Sequence, residues 1–141
     1  MAWDPSLELG IDLVDSEHKA LVECVEDFIR KSEIQDLSGE FNSTLFFLED
    51  YTKKHFADEE MYQMECGYPK YATHKKLHDD LIKDIDELKD RIDIEGVSQE
   101  IISSTGQFLL DWVMHHIVEA DLVFGEYYRK VNTESAEKVL V

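Results

Sequence analysis

The sequence is poor in residues that interrupt helices, since its 141 positions include only six glycines and two prolines. So few turn-forming residues exclude a chain of many short strands and favour long helices. No stretch approaches the roughly 18 consecutive apolar residues that span a bilayer. Residues 1–5 lack the basic and apolar regions of a signal peptide. We therefore expect a cytoplasmic protein that makes no membrane contact.

Basic residues and cysteines are scarce too. The chain has 14 Lys and Arg against 32 Asp and Glu, a formal net charge of −18. This charge repels phosphates, so nucleic acids and anionic membrane surfaces are excluded as partners. The two cysteines, Cys24 and Cys66, are far apart and match no CxxC spacing. Reduced thiols are expected rather than a disulfide or a metal pair.

What the chain does contain is helical periodicity in one domain, residues 1–141, with 43% hydrophobic residues for its core. Residues 1–14 carry alternating apolar side chains without a second strand to pair with, which predicts an extended arm. Short loops between long helices place neighbours antiparallel. The predicted fold is all-α, an up-down-up-down four-helix bundle with this N-terminal arm and a short tail to residue 141. The predicted helices span about residues 15–35, 40–66, 69–92 and 98–129.

Histidines occupy the inward stripes of all four predicted helices, where Leu or Ile would be ordinary. They are His18, His55, His74, His78 and His116. Burying these imidazoles without partners would cost about 1–3 kcal/mol each. In the predicted topology all five lie within about a dozen residues of the same end of the bundle, or ~18 Å along its axis. The stripes therefore predict one shared site.

Carboxylates join this histidine set. Glu59 follows His55 by four residues, so the two side chains share a helix face. Imidazoles with carboxylates and no thiolate suit iron, manganese or zinc, and the number of ligands is too large for one ion. On the fourth helix spacing alone selects Glu119, three residues after His116, because Asp121 is rotated by about 140°. His115 is turned off the stripe, so it should lie on the surface or behind the metal-binding side chains.

Motifs along the chain resemble those of bacterial hemerythrins, from Trp3 to about residue 128. The matching segments are Trp3 with residues 10–19 (GIDLVDSEHK), residues 55–60 (HFADEE), residues 67–69 (GYP) followed by His74 and His78, and Trp112 with His116, Ile117 and Asp121. Any one of these segments would be weak evidence, but together they are specific.

The resemblance implies a non-haem di-iron centre that binds O₂ reversibly, with two iron ions joined by a bridging hydroxide or oxide. It implies that His74, His78 and His116 hold one iron and that His18 and His55 hold the other. The same resemblance makes Glu59 and Asp121 the bridging carboxylates, against the spacing argument for Glu119. The iron with fewer nitrogen ligands keeps the position for O₂.

Apolar side chains are expected around that position, namely Leu21, Phe56, Trp112 and Val113. Each also suits an ordinary core. The family often has Leu where this chain has Val113, so water and external ligands such as azide or nitric oxide should enter more readily. The implied function is oxygen storage, delivery or sensing by a monomer or weak homo-oligomer, not an enzyme. The alternatives are a di-iron redox enzyme acting on substrates, peroxide or nitric oxide, and an O₂- or redox-sensing signalling module.

Overall fold

The computed structural model of the protein describes residues 3–140, with the backbone alone for residues 135–140. Within this range the chain forms helices and no strand. A 3-10 turn at Pro5–Leu7 precedes the first helix. The helices are α1 (Asp12–Ile34), α2 (Phe41–Glu65), α3 (Tyr71–Glu95), α4 (Gln99–His116) and α5 (Leu122–Leu140), and a π-helical segment, Ile117–Asp121, joins the last two.

The helices α4 and α5 and the π segment form one continuous rod, because the backbone remains right-handed helical at Ile117 and at Leu122. The rod packs along α1, which also contacts α2, and α2 packs against α3. The molecule is therefore the predicted all-α four-helix bundle. None of the helices in the described range is long and apolar enough to cross a membrane.

The N-terminal arm is shorter and more structured than the predicted residues 1–14. The first helix begins at Asp12 instead of about residue 15. The Asp15 carboxylate accepts the backbone N–H groups of Leu9 (2.7 Å) and Gly10 (3.0 Å), which fixes the arm against the first turn of α1. Leu9 in turn lies so close to Gly125 that a Cβ atom there would meet the Leu9 Cβ at 2.9 Å. The arm is thus packed against α5.

The C-terminal helix is longer than predicted, since the backbone is helical to Leu140 instead of ending near residue 129. No glycine or proline follows Gly125 to interrupt it. The Arg129 guanidinium donates to the Leu9 carbonyl, which ties this helix to the arm. The other helix ends lie close to their predicted positions, with Gly67 (φ 66°) after α2 and Gly96 (φ 83°) after α3 in left-handed conformations that glycine adopts without strain.

Candidate metal centre

The structure brings seven histidine, glutamate and aspartate side chains together at one end of the bundle. His18 comes from α1, His55 and Glu59 from α2, His74 and His78 from α3, and His116 ends α4. Asp121 ends the π segment. All seven are buried, and Glu59 and Asp121 have no exposed surface.

The seven residues divide into two overlapping groups, each with ligand atoms within 4.8 Å of one another. One group has five members and the other has four, and Glu59 and Asp121 belong to both. The groups are Glu59, His74, His78, His116 and Asp121, and His18, His55, Glu59 and Asp121. Two adjacent sites that share two carboxylates can hold two cations side by side.

The ring nitrogens at the centre of the larger group converge on one another. The Nε2 atom of His116 lies 3.0 Å from Nε2 of His74 and 3.1 Å from Nε2 of His78. The other nitrogen of His78, Nδ1, lies 2.8 Å from the Glu60 carboxylate, which can only accept and so holds the proton there. In neutral His78 the inward Nε2 atom therefore presents a lone pair, which a cation satisfies.

Several buried atoms of the cluster have no hydrogen-bond partner among the described residues. They are both ring nitrogens of His18, one oxygen of Glu59 and both carboxylate oxygens of Asp121. Nε2 of His18 lies 3.0 Å from an Asp121 oxygen, but without hydrogen-bond geometry. Buried polar atoms are normally paired. A cation bound between these atoms would pair them, so the residues present fit a metal centre.

A second layer of polar side chains orients three of the histidines. Glu17 lies 3.1 Å from Nδ1 of His55. The Glu60 carboxylate lies 2.8 Å from Nδ1 of His78. The amide nitrogen of Gln63 lies 3.0 Å from Nδ1 of His74. The two carboxylates can only accept, so they favour a proton on Nδ1 of His55 and His78, whereas the Gln63 amide nitrogen is a donor and orients the His74 ring. Glu17 was not predicted, because it contacts a residue 38 positions away; Gln63 could have been found from its position four residues after Glu59.

The carboxylates of the cluster favour positive charge in its interior. Burial acts against a charged imidazolium, but the Asp121 and Glu59 carboxylates outweigh it and raise the pKa of His18 to about 10. The same two carboxylates raise the pKa of His74 to about 9 against the effect of burial. The histidines in turn hold the pKa of Asp121 well below its usual range, although burial opposes this. Protons and metal cations therefore compete for the same nitrogens.

The π segment explains why spacing alone selects the wrong acid on the fourth helix. The backbone N–H of Leu122 donates to the carbonyl of Ile117, five residues back. A π turn of this kind brings residues five apart onto one face, whereas α-helical geometry rotates them by about 140°. Asp121 is therefore buried with its oxygen 3.0 Å from Nε2 of His116. The spacing argument for Glu119 is wrong, because Glu119 lies on the surface and pairs with exposed His115 at 3.0 Å.

A small cavity of about 10 Å³ borders the cluster, roughly the space that admits one water-sized molecule. Its apolar walls include the four predicted side chains, Leu21, Phe56, Trp112 and Val113, together with Ile117. The walls are completed by Thr52 and by four cluster residues, His18, His55, His116 and Asp121. The aromatic rings also support the ligand histidines. Phe56 stacks on His78 with ring centroids 3.8 Å apart, and Trp112 stacks on His116 at 4.4 Å.

The arrangement matches a known family. Residues 9–128 match the family model described as "Hemerythrin HHE cation binding domain". The chain belongs to the hemerythrin family. Among its hemerythrin relatives, a bacteriohemerythrin of Clostridium acetobutylicum is 30% identical over 122 residues, covering 84% of this chain and 94% of the relative.

Other hemerythrins show similar sequence identity to this chain. A myohemerythrin of Sipunculus nudus is 25% identical over 126 residues, covering 86% of this chain and 88% of its own. A crystal structure of a wild-type hemerythrin superposes with a TM-score of 0.80 at 25% identity, covering 91% of this chain and 97% of the other. The four-helix architecture and the resemblance seen in the sequence are both confirmed.

Proposed function

We propose that the chain binds two iron ions, joined by a bridging hydroxide or oxide, and uses them to bind O₂ reversibly. The observation that carries this proposal is the pair of overlapping donor groups that share Glu59 and Asp121. In the proposed centre Glu59 and Asp121, which belong to both groups, would hold both ions. His74, His78 and His116 would hold one ion, and His18 and His55 would hold the other. When bound, a pair of ferrous ions supplies the electrons that reversible O₂ binding requires.

The chain's own contribution is to orient the ligands and to limit access. The Glu17 and Glu60 carboxylates accept the Nδ1 protons of His55 and His78, which leaves both Nε2 lone pairs directed inward. Leu21, Phe56, Trp112, Val113 and Ile117 form an apolar wall at the cavity. This wall favours a small apolar gas over bulk water. The cavity is too small for a larger organic substrate.

The role we infer is storage, delivery or sensing of O₂ and not catalysis. An open ligand position would also bind azide or nitric oxide. We infer that residues 1–141 act as a single hemerythrin-like domain, which the shared helical core supports. The formal charge of −18 supports a protein that binds neither nucleic acids nor anionic membranes, and we infer a cytoplasmic location. A monomer or a weak homo-oligomer is proposed as its state.

An oxygen-electrode experiment separates the binding protein from the alternative di-iron redox enzyme. The protein is loaded with ferrous iron under anaerobic conditions, its iron content is measured, and a known amount is mixed with air-saturated buffer with and without ascorbate. We expect two irons per chain and the uptake of one O₂ per chain in both samples. Continued O₂ consumption with ascorbate would contradict the binding role, and fewer than two irons would contradict the centre.

A further inference from the structure

The cavity borders the smaller of the two donor groups. Three of that group's four members, His18, His55 and Asp121, form part of the cavity wall. Only His116 and the shared Asp121 represent the five-membered group there. A small molecule in the cavity would therefore lie beside the donor group with fewer members.

Thr52 supplies the one hydroxyl among the described residues that line this cavity. It lies on α2 nearly one turn before His55, and its side chain is 5% exposed. A buried threonine in a helix commonly donates to the carbonyl four residues earlier, here that of Leu48. No hydrogen bond from Thr52 to Leu48 or to any other described residue is present.

The Thr52 residue is buried, and a hydroxyl that no protein group accepts gains a hydrogen bond when an acceptor lies beside it. The remaining wall offers little competition, because Leu21, Phe56, Val113 and Ile117 carry no polar side-chain atoms. The indole of Trp112 is half-buried and is stacked on His116. Apart from the proposed metal ligands and the Trp112 indole, the Thr52 hydroxyl is thus the donor available at the cavity.

We propose that the Thr52 hydroxyl donates a hydrogen bond to small acceptor ligands bound in this cavity and sets their affinity relative to apolar gases. The ligand class is a small linear or diatomic anion, for which azide is the probe. This inference rests on the proposed di-iron function, because the ligand must lie at the open ion. It adds a determinant of ligand selectivity that the metal-binding residues do not supply.

The test compares iron-loaded, oxidised wild-type protein with the variants Thr52→Val and Thr52→Ser. Valine keeps the size and branching of threonine but has no hydroxyl, whereas serine keeps the hydroxyl. Azide affinity is measured by absorption titration. The azide N–N stretching frequency is measured by infrared spectroscopy in H₂O and in D₂O. Iron content is determined on every sample.

We expect Thr52→Val to weaken azide binding about ten-fold, the loss that one hydrogen bond to a charged acceptor predicts. The solvent-isotope shift of the N–N stretch should disappear in this variant and persist in Thr52→Ser. Unchanged affinity and isotope shift in Thr52→Val, at two irons per chain, would overturn the inference and leave the proposed function intact. Wild-type protein that takes up fewer than two irons would overturn both.

Discussion

At the scale of single residues, His74 contacts both of the carboxylates that the two donor groups share. Its Nε2 atom lies 2.7 Å from a Glu59 oxygen and 2.9 Å from an Asp121 oxygen. Its side chain therefore stands beside both shared carboxylates. Removal of this imidazole should disturb both ion positions together.

We predict that His74→Ala lowers the iron content from two per chain to one or none, measured by colorimetric iron assay after desalting. His115→Ala is the matched control, because it makes the same substitution at a histidine that is exposed. His115 pairs with Glu119 on the surface and lies outside the proposed ligand set. The control should retain two irons. Retention of two irons by His74→Ala would show that the proposed ligand set is wrong.

Val113 is one of the apolar side chains that line the cavity beside the cluster. We predict that Val113→Ala enlarges the cavity, admits water more readily and increases several-fold the rate at which the oxygenated protein becomes oxidised and inactive. The variant should also lose about 1–2 kcal/mol of stability, as expected for a buried truncation. The oxidation rate is followed by absorption spectroscopy in air.

Val25→Ala is the control for this change, because Val25 is equally apolar and buried in the core but does not line the cavity. It should lose similar stability with an unchanged oxidation rate. If both variants oxidised equally fast, reduced stability and not cavity size would explain the effect.

How much of the site can be predicted from the sequence depends on whether a contact joins residues close together in the chain or residues of different helices. The five histidines and Glu59 follow from the periodicity of their helices, because each stripe is a local pattern. Asp121 follows only from the family resemblance, since the wide turn that buries it has no local signal in the spacing. Glu17 escapes prediction because its partner His55 comes from another helix.

At the scale of helices and turns, the π segment is the feature on which the centre depends. A π turn is in effect an α-helix with one extra residue. Removing Val118, which is half exposed, should return the segment to α-helix and leave Asp121 four residues after His116, on nearly the same face. Inserting an alanine after Val118 should rotate Asp121 away.

We therefore predict opposite outcomes for the two changes: the deletion retains two irons per chain, and the insertion loses iron. Iron content and circular dichroism are measured on both proteins, so that loss of folding is distinguished from loss of metal. Equal loss of iron in both folded variants would contradict the role assigned to the π turn.

Glu49 links two helices through contacts outside the seven-residue cluster. Its buried carboxylate lies 2.8 Å from Lys89 on α3 and 3.0 Å from Lys53 on its own helix. Burial raises the pKa of Glu49, but the two lysines outweigh it and hold the pKa below its usual value. Because the folded-state pKa lies below the unfolded one, the stabilisation is complete above about pH 4.5 and is lost as the pH falls through the folded-state value.

We predict that Glu49→Gln lowers the free energy of unfolding at pH 7 by about 1 kcal/mol, since both lysines are partly exposed. The difference from wild type should shrink below pH 4.5, as measured by urea unfolding at a series of pH values. Asp50→Asn, on the exposed neighbouring position, should change stability little. A difference that stayed constant with pH would contradict the ion pair.

The boundaries of the helices were less predictable than their existence. The apolar stripes specify four helices because each must bury one face. The start of α1 depends on Asp15 holding the arm, a contact between segments that periodicity does not report. The length of α5 depends instead on the absence of a breaker after Gly125, which the sequence does contain as a signal.

At the scale of the whole molecule, the bundle combines a strongly acidic chain with a buried cluster of carboxylates and imidazoles that could hold cations. The formal charge is −18, and two of the acids are fully buried among five histidines. The fold class and the position of the cluster at one end of the bundle follow from the sequence. Several buried oxygens and nitrogens of the cluster have no hydrogen-bond partner among the described residues. We propose that a pair of iron ions binds these atoms.

The most direct test is the visible absorption spectrum of ferrous-loaded protein under alternating oxygen and argon, with iron counted in the same sample. The account predicts two irons per chain and a charge-transfer band that appears under oxygen, disappears under argon and returns over repeated cycles. A spectrum that never changes, or that changes once and stays fixed under argon, would contradict reversible O₂ binding by this protein.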